Sequence, residues 1–189
     1  NIIEKEIKGL KALKSSLNKD FSDAVELILE NKKNVIITGL GKSGYIARKI
    51  SSSFKSIGIS SLYLHPSEAS HGDLGIIDKG DILIVVSNSG ETDEILDIIN
   101  FAVLKGIKII SITSNTNGIL SRNSNLVLKL PKHDEADKLK IIPTTSTTMA
   151  LAIGDALCCA VLNYKKFDKS SFKKFHPGGK LGKNLKTLS

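Results

Sequence analysis

Two short runs of glycine, serine and threonine concentrate the reactive and anion-binding side chains of this chain: "TGLGKSG" at 38–44 and "SNSGET" at 87–92. Each follows an apolar run and precedes a segment with helical spacing. A helix N-terminus presents unpaired N–H groups and a partial positive charge, so it favours an anion. In the first run Gly39, Gly41 and Gly44 let the backbone approach a ligand closely, Lys42 offers a cation and Ser43 a hydroxyl. In the second, Ser87, Ser89 and Thr92 are neutral donors beside Asn88, a set suited to a phosphate monoester held without a metal. The first run is not a Walker A phosphate loop, because that motif needs four residues between its first Gly and the Gly-Lys-Ser/Thr. Plainer readings stand beside the chemical one. Glycines at such a turn also serve tight strand-to-helix packing, and a serine such as Ser89 also serves as a helix N-cap. Capping needs one hydroxyl, however, and the second run has three plus an Asn.

Other charged residues are less telling by type alone. Glu91 and Glu94 lie near a helix start, where acidic side chains favour the dipole anyway. Glu135 sits in "KHDEADK", which reads as a solvated turn, and His176 precedes a Pro-Gly-Gly turn. The four histidines have no HxxxH or CxxC company, so spacing gives no zinc site.

The elements that must position these loops follow from periodicity. Ile3, Ile7, Leu10, Leu13 and Leu17 recur at helical spacing, and a second helix carries Val25, Leu27 and Ile28, with Asp20 or Ser22 as its cap. Then strands alternate with helices. "NVIITG", "SSLYLH", "DILIVVS", "IKIISITS" and "NLVLKL" read as strands. "KSGYIARKISSSFKSIG", "TDEILDIINFAVLKG", the short "NGILSRNS" and the long "TTSTTMALAIGDALCCAVLNYKK" read as helices. The pattern predicts an α/β fold: a five-stranded parallel sheet, doubly wound and flavodoxin-like, with helices on both faces in three αβα layers. In such sheets ligands bind outside the carboxyl ends of the strands, where the strand order switches. The loops of interest are therefore "TGLGKSG", "HPSEASHGDLG", "SNSGET" and "TSNTNG".

Composition narrows the function classes. With 189 residues and 41% hydrophobic side chains the chain can build one substantial core, mostly of Ile, Leu, Val and Ala. The net charge of +8 comes from lysines scattered among acidic residues, without a basic block interleaved with aromatics. We read it as a solvated surface that favours anionic small molecules, with no nucleic-acid partner. Cys158 and Cys159 are neighbours on a helix and make a poor disulfide pair; buried, reduced thiols and a cytoplasmic location are expected. No signal peptide is visible, and "MALAIGDALCCAVL", interrupted by Gly154 and Asp155, reads as too short to cross a bilayer, so no membrane partner is expected.

Taken in order, "GLGKSG", "HPSEASHGDLG", "SNSGET", "PTTSTT", "GDAL" and "HPGGKLG" resemble the sugar isomerase (SIS) domain, and within it the arabinose-5-phosphate isomerase group. The likeness runs from about residue 35 to residue 185, and "HPSEASHGDLG" and "HPGGKLG" are its most specific parts. It implies interconversion of ribulose 5-phosphate and arabinose 5-phosphate, which supplies the eight-carbon sugar Kdo of lipopolysaccharide and some capsules. Substrate contacts would come from Gly41, Ser43, His71, Ser87, Asn88, Ser89 and Thr92. The catalytic positions would be Lys42, Glu94, Glu135 and His176, with no cofactor, and His65 matches a position linked to inhibitory zinc. The resemblance further implies a homotetramer, with His71 or His176 reaching into a neighbouring subunit's pocket. It divides the chain into N-terminal helices at 1–33 packed on a SIS domain at 34–189.

Aldose–ketose isomerisation moves a proton between C1 and C2 through a cis-enediol, so it needs a general base and a cation or donor at the developing oxyanion. Glu135 is the expected C–H base, with Lys42 and His176 polarising oxygens or helping to open a cyclic sugar. Many members continue into a pair of CBS modules; this sequence stops at Ser189, which fits either a single-domain form or a chain trimmed at the linker. The rival readings are another phosphosugar isomerase and a non-catalytic sugar-phosphate sensor. The sensor is disfavoured because no helix-turn-helix is visible in the opening residues.

Overall fold

Five short segments rich in Ile, Leu and Val form the sheet: β1 (Val35–Thr38), β2 (Ser61–Leu64), β3 (Ile82–Val86), β4 (Lys108–Thr113) and β5 (Leu126–Lys129). In this computed structural model, which describes residues 1–165, Ser171 and Phe175, they pair in parallel in the order β2-β1-β3-β4-β5. The helices are α1 (Ile2–Ser16), α2 (Lys19–Glu30), α3 (Gly41–Ser56), α4 (Pro66–Ala69), α5 (Asp93–Lys105), α6 (Ile119–Arg122) and α7 (Thr145–Tyr164). The doubly wound α/β reading is thus correct. The periodicity did not reveal α4 or the 3-10 turn Asp73–Ile76, because both are single turns inside "HPSEASHGDLG".

Strand parity sorts the apolar side chains into two cores. Val35, Ile37, Ile82, Ile84 and Val86 face one side with Ile110 and Ile112, where Ala47, Ile50 and Phe54 of α3 and Met149, Ile153 and Leu157 of α7 cover them. Ile36, Leu83, Val85 and Ile109 face the other, covered by Ile95, Ile98, Ile99 and Ala102 of α5. Both faces of the central strands are dry, which is why β3 reads as an unbroken apolar run.

Two local expectations change. Asn18 caps α2, its Oδ1 accepting from the Asp20 N–H at 3.1 Å. Asp20 instead ties the helix to the sheet, with Oδ2 accepting from the Val127 N–H at 3.3 Å. Of the two thiols only Cys158 is buried, and burial pushes it up to about 11; Cys159 is exposed.

α7 is 20 residues long, enough by length and composition to cross a bilayer, contrary to the shorter stretch read from sequence. What marks it as a core helix is its packing: one side is buried against α1, α2 and α3. Gly154 permits the closest of these approaches, since a Cβ there would lie 2.4 Å from Cδ1 of the fully buried Ile50. Gly154→Ala is therefore expected to lower stability by about 1–3 kcal/mol, read as a fall in Tm, because a packed core resists added volume. An unchanged melting curve would mean that Ile50 moves aside at no cost.

Candidate active site

The order of strands reverses between β1 and β3, and the loops leaving their carboxyl ends flank the crevice expected at a switch point. These are the "GLGKSG" and "SNSGET" loops. A cavity of about 240 Å³ opens there, lined by Lys42 and Ser43 from the start of α3, Asn88 after β3, Glu135, and Ser146 and Thr147 at the start of α7. A second cavity of about 410 Å³ adjoins it, shares Asn88 and Glu135, and is ringed by Lys129, Lys132 and Lys140. Four of the residues picked out from sequence, Lys42, Ser43, Asn88 and Glu135, thus meet in one place.

The glycines of the first loop divide by role. A Cβ on Gly44 would lie 2.7 Å from the Gly39 carbonyl oxygen and 2.9 Å from the Tyr63 hydroxyl, so that glycine serves close packing. Gly41 has φ +56, and a Cβ added to it would meet nothing within 4 Å, so it serves the turn and leaves the approach to α3 open. Tyr63 holds the loop in place by donating its hydroxyl to the Gly39 carbonyl at 2.9 Å, under the guanidinium of Arg48. Nothing in its sequence context marked Tyr63 for this task.

The second loop is partly self-contained. Ser87 Oγ accepts from the Gly90 N–H at 3.1 Å and lies 3.4 Å from Thr92 Oγ1. Ser89 is exposed and does not cap α5, whose cap is Thr92 without a side-chain bond. The simple capping reading of this loop therefore fails, and the first-turn N–H groups of α5 keep their pull on an anion. The Asn88 carbonyl accepts from the hydroxyls of Thr113 and Ser114 at 3.2 and 2.8 Å, which fixes the residue at the cavity wall. Its side-chain Oδ1 is buried with no partner among the described residues.

Glu135 is the most heavily bonded of the candidates. Its Oε2 accepts from the Thr144 N–H at 2.8 Å, the Thr144 hydroxyl at 3.1 Å and the Ser146 N–H at 3.2 Å, and its Oε1 accepts from the Ser146 hydroxyl. "PTTSTT" is thus the N-terminus of α7 wrapped round a carboxylate. Burial is the largest single influence and opposes the charge, but the bonds from Ser146 and Thr144 outweigh it and hold the carboxyl below its usual range. Glu135 is an anion at neutral pH. The side chain read as a solvated turn residue is in fact only 14% exposed.

The remaining candidates lie elsewhere in the chain. Glu94, in the first turn of α5, and His71, just past α4, are both exposed and line neither cavity. His65 follows β2, with its Nδ1 buried and unpartnered among the described residues and its ring edge-on to Tyr63. Among the described residues no group of three His, Cys, Asp or Glu gathers to hold a metal ion, so one chain's described residues do not fit a zinc site at His65. His176 lies outside the described residues.

Comparison with known proteins bears on what this arrangement does. The SIS domain family model matches residues 28–160. The arabinose 5-phosphate isomerase KdsD of Francisella tularensis is 47% identical over 183 residues, covering 95% of this chain and 56% of that protein. The arabinose 5-phosphate isomerase KpsF of Escherichia coli O6:H1 is 46% identical over 88% of this chain and 51% of its own length. The chain therefore spans about half the length of the curated relatives it matches. Among solved structures, an Escherichia coli CFT073 protein in complex with arabinose 5-phosphate superposes with a TM-score of 0.89 at 36% identity, covering 93% of this chain and 94% of that one.

Proposed function

The chain belongs to the SIS domain family, and from that membership we propose that it interconverts D-ribulose 5-phosphate and D-arabinose 5-phosphate through a cis-enediol. The observation that carries the proposal is the cavity at the β1–β3 switch, which Lys42 and the ionised Glu135 line together with Ser43 and Asn88. The isomerases named among its relatives and the sugar-phosphate complex of a closely superposing chain support the choice of substrate.

In this scheme Glu135 removes a proton from C1 of the ketose. The C–H electron pair becomes the C1=C2 bond, and charge grows on O2, where the Lys42 ammonium stabilises it and a proton is taken up. The O1 proton then leaves, C1 becomes the carbonyl carbon, and Glu135 returns its proton to C2. The donors of the two loops hold the phosphate, with Ser43, Ser87, Ser89 and Thr92 as its hydroxyl partners and Gly41 leaving the backbone open to it. Asn88 takes a sugar hydroxyl. Glu94, His71 and His176 act in the assembled oligomer, where a neighbouring chain completes the site.

A homotetramer suits the surface. α1 exposes Ile2, Ile3 and Ile7, and Leu104 at the end of α5 is 86% exposed, an apolar load that a second copy would cover. Residues 1–33 act as helices added to a SIS unit of 34–189. The product would feed Kdo synthesis in the cytoplasm, without nucleic-acid or membrane partners.

The decisive assay offers ribulose 5-phosphate to the purified chain and follows arabinose 5-phosphate formation. Turnover is expected without added metal. Tight phosphosugar binding with no turnover would replace the enzyme reading by a sensor, and turnover of a different phosphosugar alone would replace the substrate.

A further inference from the structure

His133 is a half-buried histidine that the scheme above leaves idle. Its side chain is 9% exposed and belongs to the segment joining β5 to α7. Nδ1 lies 2.9 Å from the carbonyl oxygen of Pro131. A carbonyl oxygen can only accept, so Nδ1 carries the hydrogen and donates it. In the neutral ring the lone pair is then on Nε2, and Nε2 stands 3.8 Å from Glu135 Oε1. That separation is too long for a hydrogen bond, and a small approach would make one as soon as a proton sits on Oε1.

Glu135 has reason to need such a partner. Its two oxygens are held by four donors from Thr144 and Ser146, all of which favour the carboxylate. A carboxylate so well solvated takes up a proton reluctantly, yet the isomerisation requires it to hold one through the life of the enediol. Among the described residues, two groups beside Oε1 can accept: the Ser146 hydroxyl, which donates to the carboxylate, and the imidazole, whose Nε2 has only a lone pair to offer.

We propose that His133 is a positioning residue for the transferred proton: its Nε2 accepts a hydrogen bond from protonated Glu135 and keeps that proton aimed for return to the substrate. The inference rests on the isomerase reading. Glu135 takes the proton from C1, and the C–H electron pair enters the C1=C2 bond. The new Oε1–H donates to Nε2 without leaving Oε1, and the same proton goes back to C2. The charged groups lining the cavities around the pair are Lys5 and Lys8 of α1, Lys42 of α3, Lys129 of β5, and Lys132, Asp134 and Lys140 of the joining segment.

The test compares His133→Leu, which removes the acceptor, with His133→Gln, whose amide oxygen can restore it. The substrate is ribulose 5-phosphate deuterated at C1, and the readouts are kcat, KM, Tm and the fraction of label carried to C2 rather than lost to water. His133→Leu is expected to lower kcat about 10-fold or more with KM changed less than about twofold, and to lower the carried fraction of label. His133→Gln should recover most of both. Wild-type kcat and label transfer in His133→Leu would overturn the inference while leaving the isomerase reading intact. Equal losses in both variants, with a parallel fall in Tm, would reduce His133 to a packing residue. A wild-type chain that does not turn over ribulose 5-phosphate would remove the isomerase reading, and this inference with it.

Discussion

Glu135→Gln is expected to lower kcat by about 10³-fold or more with KM altered only a few-fold, because general-base catalysis is worth about 10²–10⁴ and no other carboxylate among the described residues lines the cavity beside Lys42. Exchange of the substrate C–H proton with solvent should fall with it; full exchange at the wild-type rate would move the base elsewhere. The substitution also touches stability. The amide keeps the shape but weakens the bonds from the Thr144 and Ser146 N–H groups and hydroxyls, at a cost of about 1.5–3 kcal/mol at neutral pH. Glu135 has a folded pKa below its ordinary value, so its contribution is present above the unfolded pKa and is lost as pH falls through the folded one. The Tm difference between wild type and Glu135→Gln should therefore shrink on acidification into and below the ordinary carboxylate range. A gap that stays constant with pH would mean that the charge is not what α7 binds. Activity has to be measured well below the lower Tm, so that the kinetic loss is not a folding loss.

Lys42→Met is expected to cost about 10²–10³-fold in kcat, the scale of removing one preorganised donor from a developing oxyanion. Met keeps most of the length and apolar contact of the lysine stem and removes the charge alone. The residue stands in the first turn of α3, where a cation gains nothing from the helix dipole, and its presence there calls for a ligand of opposite sign. Stability should accordingly stay the same or rise slightly, which separates this variant from Glu135→Gln. A loss confined to KM would assign Lys42 to phosphate binding, and wild-type kinetics would remove it from the site. Lys42→Arg is a stringent companion, because a wider, planar cation in a cavity of about 240 Å³ should not restore the rate.

Much of the fold was legible because the sheet is buried on both faces. "DILIVVS" and "IKIISITS" could be little else than central strands, and the helices between them carry an apolar stripe. Caps were less legible: Asn18 and Asp20 are both good N-cap residues two positions apart, and only the approach of Val127 decides which one turns to the sheet. The site was legible in its loops and opaque in its carboxylate. Glu135 looks like one charge in a charged turn, since the donors that define it belong to a helix start several residues later. His133 was silent for the same reason: its meaning lies in a carbonyl two residues back and a carboxylate two residues on, and only the folded turn brings both to its ring.

By itself the sequence determined the five strands and the longer helices, and that "GLGKSG" and "SNSGET" leave strands and enter helices, because side-chain period and turn chemistry are local properties. The tertiary structure alone decided that β1 lies beside β3, which puts those two loops on either side of one crevice. It also decided that α7 folds back across α3, bringing Glu135 to Lys42. Those are long-range pairings set by the burial of two sheet faces at once, and no window of sequence contains them.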